Sequence, residues 1–130
     1  MEIGSFLSSE EHGPRDLVAM GRQVEEAGFE RVWISDHFHP WSDRQGHSPF
    51  VWSVLGALAT TTDLTLTTAV TCPTIRIHPA VVAHAAATTA VLSGGRFRLG
   101  VGTGENLNEH VLGDAWPEAE VRMEMPEEAV

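Results

Sequence analysis

Four predicted β-strands recur at a nearly constant spacing along the chain. They begin near residues 2, 31, 64 and 96, at intervals of 29, 33 and 32 residues. Intervals of this length are typical of parallel βα units joined by right-handed crossovers. Eight such units make a (β/α)₈ barrel, the TIM barrel, of about 250 residues, whereas this chain has 130 residues and four units. The spacing therefore predicts an α/β fold of about four βα units, half the number in such a barrel.

Helical periodicity separates the strands. One side of the first two predicted helices is apolar at helical spacing, and Gly28 follows the first helix as a typical C-terminal stop. The apolar positions are Leu17, Met20, Val24 and Ala27 in the first helix and Val51, Leu55, Leu58 and Ala59 in the second. The predicted strands cover 3–7, 31–35, 64–70 and 96–101, and the predicted helices cover 15–27, 50–60, 79–93 and a segment from about residue 118 onward.

Two arrangements of these units remain open. Helices on one side of the sheet would give a partial barrel, with two open sheet edges and an uncovered inner face. Helices on both sides would give a small, complete α/β domain. The regular spacing is compatible with both arrangements.

The formal net charge of −10 is unevenly distributed. Residues 105–130 contain eight acidic residues and one basic residue, so that no basic face for nucleic acid is expected. No apolar run approaches the ~20 residues of a membrane span. The first residues lack the pattern of a signal peptide, and the single Cys72 is typical of a reducing compartment. These features predict a cytoplasmic protein that binds neither nucleic acid nor membranes.

Chemically reactive residue types follow each predicted strand. Glu10 follows the first strand, Asp36 and His37 follow the second, Cys72 follows the third, and a glycine-rich segment over 102–108 follows the fourth. Ligands of parallel α/β proteins bind beyond the carboxyl ends of the strands. The four loops therefore predict one pocket at the mouth of the partial barrel.

These residues suggest more than one chemistry. Asp36 beside His37 is a candidate acid/base or orienting pair. His37 and His39 form a His-x-His pattern that can ligate zinc, although no third ligand stands at motif spacing. Trp41 lies in a polar loop, where an aromatic side chain lines a ligand or packs a lid, whereas Trp33 lies within a strand and is expected in the core.

Five motifs that occur in order resemble the luciferase-like monooxygenase superfamily. More narrowly, they are similar to deazaflavin-dependent oxidoreductases of the glucose-6-phosphate dehydrogenase type, which use coenzyme F420 (F-420, an 8-hydroxy-5-deazaflavin). Members of that family are (β/α)₈ barrels of more than twice this length, so the resemblance implies that residues 1–130 are the N-terminal half of a luciferase-like TIM barrel. The motifs are SDHFHPW over 35–41, GHSPF over 46–50, VTCPT over 70–74, HPAVVA over 78–83 and GVGTGENLNE over 100–109.

The resemblance implies roles for matching residues. His37 and Glu105 would be the two acid/base groups, Trp41 would line the substrate and help to hold the reacting centre, and Glu10 would be an acidic residue on the substrate side. The peptide bond between Ala69 and Val70 matches a cis bond of the family, and Cys72 stands where Thr is more usual. The implied cofactor contacts are Asp36, Ala69, Val70, Cys72, Thr103, Gly104 and Asn108.

The implied function is hydride transfer between F420 and a small-molecule substrate, such as a sugar phosphate or another alcohol. FMN is the less favoured cofactor, no metal is expected, and the chain is expected to self-associate as a homodimer or another assembly. In the family, basic residues that hold the substrate phosphate come from later strands, so the resemblance over residues 1–130 does not imply a particular substrate. Two alternatives are a metal-dependent hydrolase that uses His37 and His39, and a noncatalytic half-barrel that assembles with another chain.

Overall fold

Strands and helices alternate along residues 3–129, the part of the chain that the structure, a computed structural model, describes. The predicted start of the first strand near residue 2 and the last residue of the predicted domain lie outside this range. The elements are β1 (Ser5–Leu7), α1 (Pro14–Glu26), β2 (Arg31–Ile34), α2 (Val51–Thr61), β3 (Thr65–Thr68), α3 (Pro79–Leu92), β4 (Phe97–Arg98), α4 (Asn106–Glu109), a 3-10 turn (His110–Leu112) and α5 (Ala119–Ala129).

The four strands form one parallel sheet in the order β1-β2-β3-β4. Leu66 in β3 lies opposite Val32 in β2 and Phe97 in β4, and Leu7 lies opposite Ile34. Each strand is connected to the next through a helix. Because the strands are parallel and sequential, the loops that follow them leave the sheet at the same edge. The predicted α/β fold with four βα units is confirmed.

Burial alternates along the strands, so that only one face of the sheet is covered. Val32, Ile34 and Leu66 are fully buried, whereas Trp33 between the first two is half-buried. On the covered face, α2 packs between α1 and α3. The arrangement is that of a partial (β/α)₈ barrel, and the alternative with helices on both faces is wrong for the described residues. The prediction of Trp33 as a core residue is also wrong, because its side chain lies on the uncovered inner face.

The hydrophobic core lies between this covered face and the helices. All four apolar positions predicted for α2 are buried, and Leu17 of α1 is fully buried. Ala27 was expected on the buried side of α1 but is the exposed C-cap residue, because the helix ends at Glu26 and Gly28 follows with a φ of 87°. Within residues 3–129, none of the helices combines the length and the apolar character needed to cross a membrane.

The third and fourth strands are shorter than predicted. At the end of β3, the side-chain hydroxyl of Thr68 replaces the regular strand pairing. It donates a hydrogen bond to the carbonyl of Gly100 and accepts one from the N–H of Gly100, both at 3.0 Å. A Cβ atom at Gly100 would collide with the carbonyl oxygen of Thr68, so only glycine permits this approach. The two segments pair again at Thr71 and Val101. This close packing holds the ends of β3 and β4 beside each other.

Candidate functional site

A cavity of about 270 Å³ lies beyond the carboxyl ends of β2, β3 and β4. Nine of the eleven residues predicted for the site line it. The other two are Ala69, which precedes Val70, and Glu10, which contacts His37. The lining residues are Asp36, His37, Trp41, Val70, Cys72, Thr103, Gly104, Glu105, Asn108 and Glu109.

The imidazole of His37 lies between two carboxylates from different loops. Its Nδ1 is 2.6 Å from Oε1 of Glu10, and its Nε2 is 3.6 Å from Oε1 of Glu105. Glu10 is buried, whereas the side chain of Glu105 is 41% exposed at the cavity. His37 thus has one nitrogen fixed by a buried partner and the other directed toward the cavity and Glu105. This arrangement suits a group that takes up and releases protons.

Glu10 is held in place by hydrogen bonds from two serine hydroxyls. The hydroxyls of Ser8 and Ser35 both donate to its Oε2, at 3.0 and 2.8 Å. Burial opposes ionisation of Glu10, but hydrogen bonds from His37, from its own backbone and from Ser35, together with the charge of His37, lower its pKa to about 2. Glu10 therefore remains a carboxylate throughout the neutral pH range.

The charge of His37 follows from the same contacts. Burial alone would lower the pKa of His37, but the hydrogen bond to Glu10 and the negative charges of Glu10, Glu105 and Asp36 raise it above its usual value. These contacts therefore favour the protonated imidazole more than in a free histidine side chain. A protonated His37 can donate from both ring nitrogens.

Asn108 joins the loop after β2 to the loop after β4. Its Oδ1 accepts hydrogen bonds of 2.7 Å from the backbone N–H groups of Phe38 and His39, and its Nδ2 donates to Oε1 of Glu105 at 2.5 Å. Asn108 is 1% exposed, and both Asn108 and Glu105 line the cavity. Asn108 therefore fixes Glu105 relative to the His37 loop.

Trp41 forms the exposed rim of the cavity. Its side chain is 64% exposed, and its ring lies 5.6 Å from that of His37 at an angle of 43°. The backbone N–H groups of Trp41 and Ser42 donate to Oε1 of Gln45, at 2.8 and 3.1 Å, which closes the turn that presents the indole. The packing of Trp41 leaves much of the indole available to a ligand.

The wall opposite the rim is formed by the ends of β3 and β4. The peptide bond between Ala69 and Val70 is cis, as the resemblance implies, and the Val70 side chain is 46% exposed. Gly104 has a φ of 72°, and a Cβ atom there would lie 2.9 Å from Sγ of Cys72. Sγ of Cys72 is 3.5 Å from the Thr74 hydroxyl. The wall therefore combines an apolar side chain with closely approaching backbone.

Two buried residues that were given no role from the sequence, Arg76 and Glu109, complete the site. Nη2 of Arg76 donates to Oδ1 of Asp36 at 2.9 Å, and Oδ2 of Asp36 accepts from Thr71 at 2.7 Å. The backbone N–H of Arg76 donates to Oε2 of Glu109 at 2.9 Å, and Nε of Arg76 lies 3.6 Å from Oε1. A signal for Glu109 was available, because Glu105, Asn108 and Glu109 lie one helical turn apart.

A metal site does not form around the His-x-His pattern. Among residues 3–129, no group of three or more His, Cys, Asp or Glu side chains is arranged to hold a metal ion. His39 is exposed, and its ring contacts Phe38 edge-on at 4.8 Å rather than approaching His37. The geometry therefore gives no support to a metal-dependent hydrolase that uses His37 and His39.

A larger and more apolar cavity, of about 620 Å³, lies between α1 and α2. Its walls include Val18, Phe50 and Val54, and its charged residues are Arg15 and Arg22. This groove is broad, but it lacks a carboxylate or imidazole to handle protons. Reactive groups converge instead in the smaller cavity at the strand ends, which we therefore consider the candidate active site.

The contact between Glu10 and His37 predicts a bell-shaped contribution to stability. The pKa of Glu10 is lower in the folded state than its ordinary value of 4.5, so the ionised carboxylate stabilises the fold above pH 4.5. This contribution is lost as the pH falls toward about 2. The pKa of His37 is higher in the folded state than its ordinary value of 6.5, so the protonated imidazole stabilises the fold below pH 6.5. This contribution is lost as the pH rises through the pKa of the folded state. Urea unfolding of Glu10→Gln and wild type should therefore differ most between pH 4.5 and 6.5.

The matched control for this measurement is Glu11→Gln, which neutralises the exposed neighbouring carboxylate. Its free energy of unfolding should stay close to that of the wild type across the same pH range. A difference between Glu10→Gln and wild type that does not vary with pH would contradict the ionic contact.

Comparison with known proteins places this chain in a family. The family model described as luciferase-like monooxygenase matches residues 1–129. The F420-dependent glucose-6-phosphate dehydrogenase of Intrasporangium calvum is 47% identical over 134 residues, which cover 100% of this chain and 40% of that protein. The F420-dependent hydroxymycolic acid dehydrogenase of Mycobacterium tuberculosis is 46% identical over 115 residues, which cover 88% of this chain and 32% of that protein.

The fold agrees with a solved structure as well. An F420-dependent secondary alcohol dehydrogenase, in complex with an F420-acetone adduct, matches with a TM-score of 0.91 and 38% identity, over 99% of this chain and 40% of that one. The chain spans about two fifths of the length of the first curated relative it matches. It belongs to the luciferase-like monooxygenase family.

Proposed function

We propose that this chain provides the cofactor pocket and the proton-handling groups of an F420-dependent oxidoreductase. The observation that carries the proposal is the position of His37 between Glu10 and Glu105, at the edge of a cavity beyond the strand ends. The names of the similar proteins, which are F420-dependent dehydrogenases, support the same cofactor. FMN remains the less favoured cofactor.

The residues of the cavity fit a flat heteroaromatic ring with a polar edge. Val70 offers an apolar surface, and Gly104 lets the backbone of its loop pack closely against Cys72 and Glu109 at the cavity wall. Thr103 offers a hydrogen-bonding hydroxyl at the same wall, and the buried Asn108 holds Glu105 beside it. When bound, F420 supplies two electrons as a hydride, while the protein supplies orientation and proton handling.

His37 and Glu105 are the proposed acid/base groups. Oxidation of an alcohol requires a base at the hydroxyl, and a ring that gains negative charge requires an acid nearby. Nε2 of His37 and the exposed carboxylate of Glu105 both face the cavity, whereas Glu10 holds the far nitrogen of His37. Trp41 is proposed to cover the substrate, because its exposed indole borders His37.

We propose that residues 1–130 are the N-terminal half of the barrel, and that residues from the other half select the substrate. The uncovered inner face and the two sheet edges at β1 and β4 support this placement. The substrate class is an alcohol, with a sugar phosphate as one candidate. Phosphate sites of TIM barrels commonly follow strands seven and eight, and this chain has four strands in its described part.

We also propose that the chain acts in the cytoplasm and self-associates, as a homodimer or another assembly. Its single Cys72 is buried and free, which suits a reducing compartment.

Val81, Val91 and Leu92 on α3 are exposed, and Phe50 beside α2 is 54% exposed. Light scattering over a range of concentrations should detect an oligomer. A monomer at every concentration would contradict self-association and the assembling half-barrel alternative alike.

Titration of the purified chain with F420 tests the cofactor directly. The visible absorbance of F420 should shift with a saturable dependence on protein concentration. Gly104→Val should abolish the shift, because its side chain would enter the wall between Cys72 and Glu109 at a φ of 72°. The matched control is Gly113→Val, which also has positive φ but has open space around it. Absence of saturable binding by the folded wild type would contradict the proposal.

Turnover tests the proton-handling groups in a chimera in which this chain replaces the matching segment of the Intrasporangium calvum relative. His37→Ala and Glu105→Gln should each lower kcat by about 10²–10⁴-fold, because each removes an acid/base group. His39→Ala is the matched control, since it removes an exposed imidazole from the same loop. Unchanged turnover in both site variants would overturn the assignment.

A further inference from the structure

Arg76 lies behind the cavity wall, out of contact with the cavity itself. Its side chain is 6% exposed, and it contacts Asp36 and Glu109, two buried carboxylates that line the cavity. Asp36 follows β2, Arg76 follows β3, and Glu109 ends α4 after β4. One guanidinium therefore joins the loops that follow three neighbouring strands.

Burial makes the charge of this cluster consequential. A buried carboxylate without a partner is unstable as an anion and takes up a proton instead. Arginine stays protonated at any ordinary pH, and its planar group can serve two acceptors at once. Arg76 provides one donor to Oδ1 of Asp36 and directs Nε toward Oε1 of Glu109, while its backbone N–H holds Oε2.

The charge of the two carboxyl groups decides what the wall offers a ligand. An ionised carboxylate only accepts hydrogen bonds, whereas a protonated one also donates. Asp36 and Glu109 each accept hydrogen bonds from neighbouring protein groups, and both residues are among those that line the cavity. A wall kept ionised would therefore select ligand edges that carry N–H or O–H donors.

We propose that Arg76 is a positioning residue that keeps Asp36 and Glu109 ionised and fixed. This proposal rests on the function proposed above, because the wall would then accept hydrogen bonds from donors on the F420 ring. The other titratable groups around the wall are His37, Glu105 and Cys72, which line the same cavity, and Glu10 behind His37. Arg76 acts through the carboxylates, because it does not line the cavity itself.

Urea unfolding without cofactor separates this role from simple packing. In Arg76→Met, the unpaired carboxyl groups should bind protons more tightly in the folded state than in the unfolded state. The loss of stability relative to wild type should therefore grow as the pH rises from 5 to 8. The matched control is Arg96→Met, because Arg96 contacts the exposed Asp63 away from the cavity. A loss that is the same at both pH values would indicate packing alone and overturn the proposal.

F420 titration provides the second readout. Arg76→Met should weaken binding at least tenfold at pH 8 and should weaken it further at pH 5, where more of the unpaired carboxyl groups bind protons, whereas Arg96→Met should bind as the wild type does. If Arg76→Met does not fold, the triple variant Arg76→Met, Asp36→Asn, Glu109→Gln removes all three charges and should fold but bind F420 more weakly. Wild-type affinity in either folded variant would overturn the proposal.

The two proposals fail in different ways. A wild type that binds no F420 would contradict the proposed cofactor, and the pH dependence of unfolding would still test whether Arg76 keeps the carboxylates ionised. A wild type that binds F420 beside an Arg76→Met variant of equal affinity and pH dependence would leave the proposed function standing and remove the role of Arg76.

Discussion

Parallel pairing of the four strands in sequence order is the constraint on which the site depends. It brings the loops after β2, β3 and β4 to one edge of the sheet, although their residues are separated by about thirty positions in the chain. The ends of β3 and β4 are drawn together by the contact between Thr68 and Gly100. The cavity between His37, Val70 and Glu105 follows from that arrangement.

The charged side chains at this edge of the sheet form two groups. On one side, Glu10 holds a histidine whose pKa is raised, and the second nitrogen of this histidine faces Glu105. On the other side, Arg76 balances Asp36 and Glu109 beneath the wall. Four carboxylates are thus concentrated around one arginine and one histidine. The acidic residues of the site are partnered, in contrast to the exposed acidic side chains of α5.

The sequence predicted the sheet and most of the cavity, because strand spacing and the residues after each strand are local patterns. Contacts between loops were not predictable in this way. Arg76 was missed because its partners, Asp36 and Glu109, are 40 and 33 positions away. Trp33 was misplaced because the burial of an alternating strand residue depends on whether the second face of the sheet is covered, and here the helices cover only one.

The location of the cofactor is the central claim, and amide chemical-shift mapping with F420 tests it most directly. We predict that added F420 shifts the backbone amides of Val70, Gly104 and Asn108, which line the cavity at the strand ends. The amides of Gly28 and Gly94, in loops that precede the next strands, should remain unchanged. Shifts confined to the apolar groove between α1 and α2, around Val18 and Val54, would contradict the account.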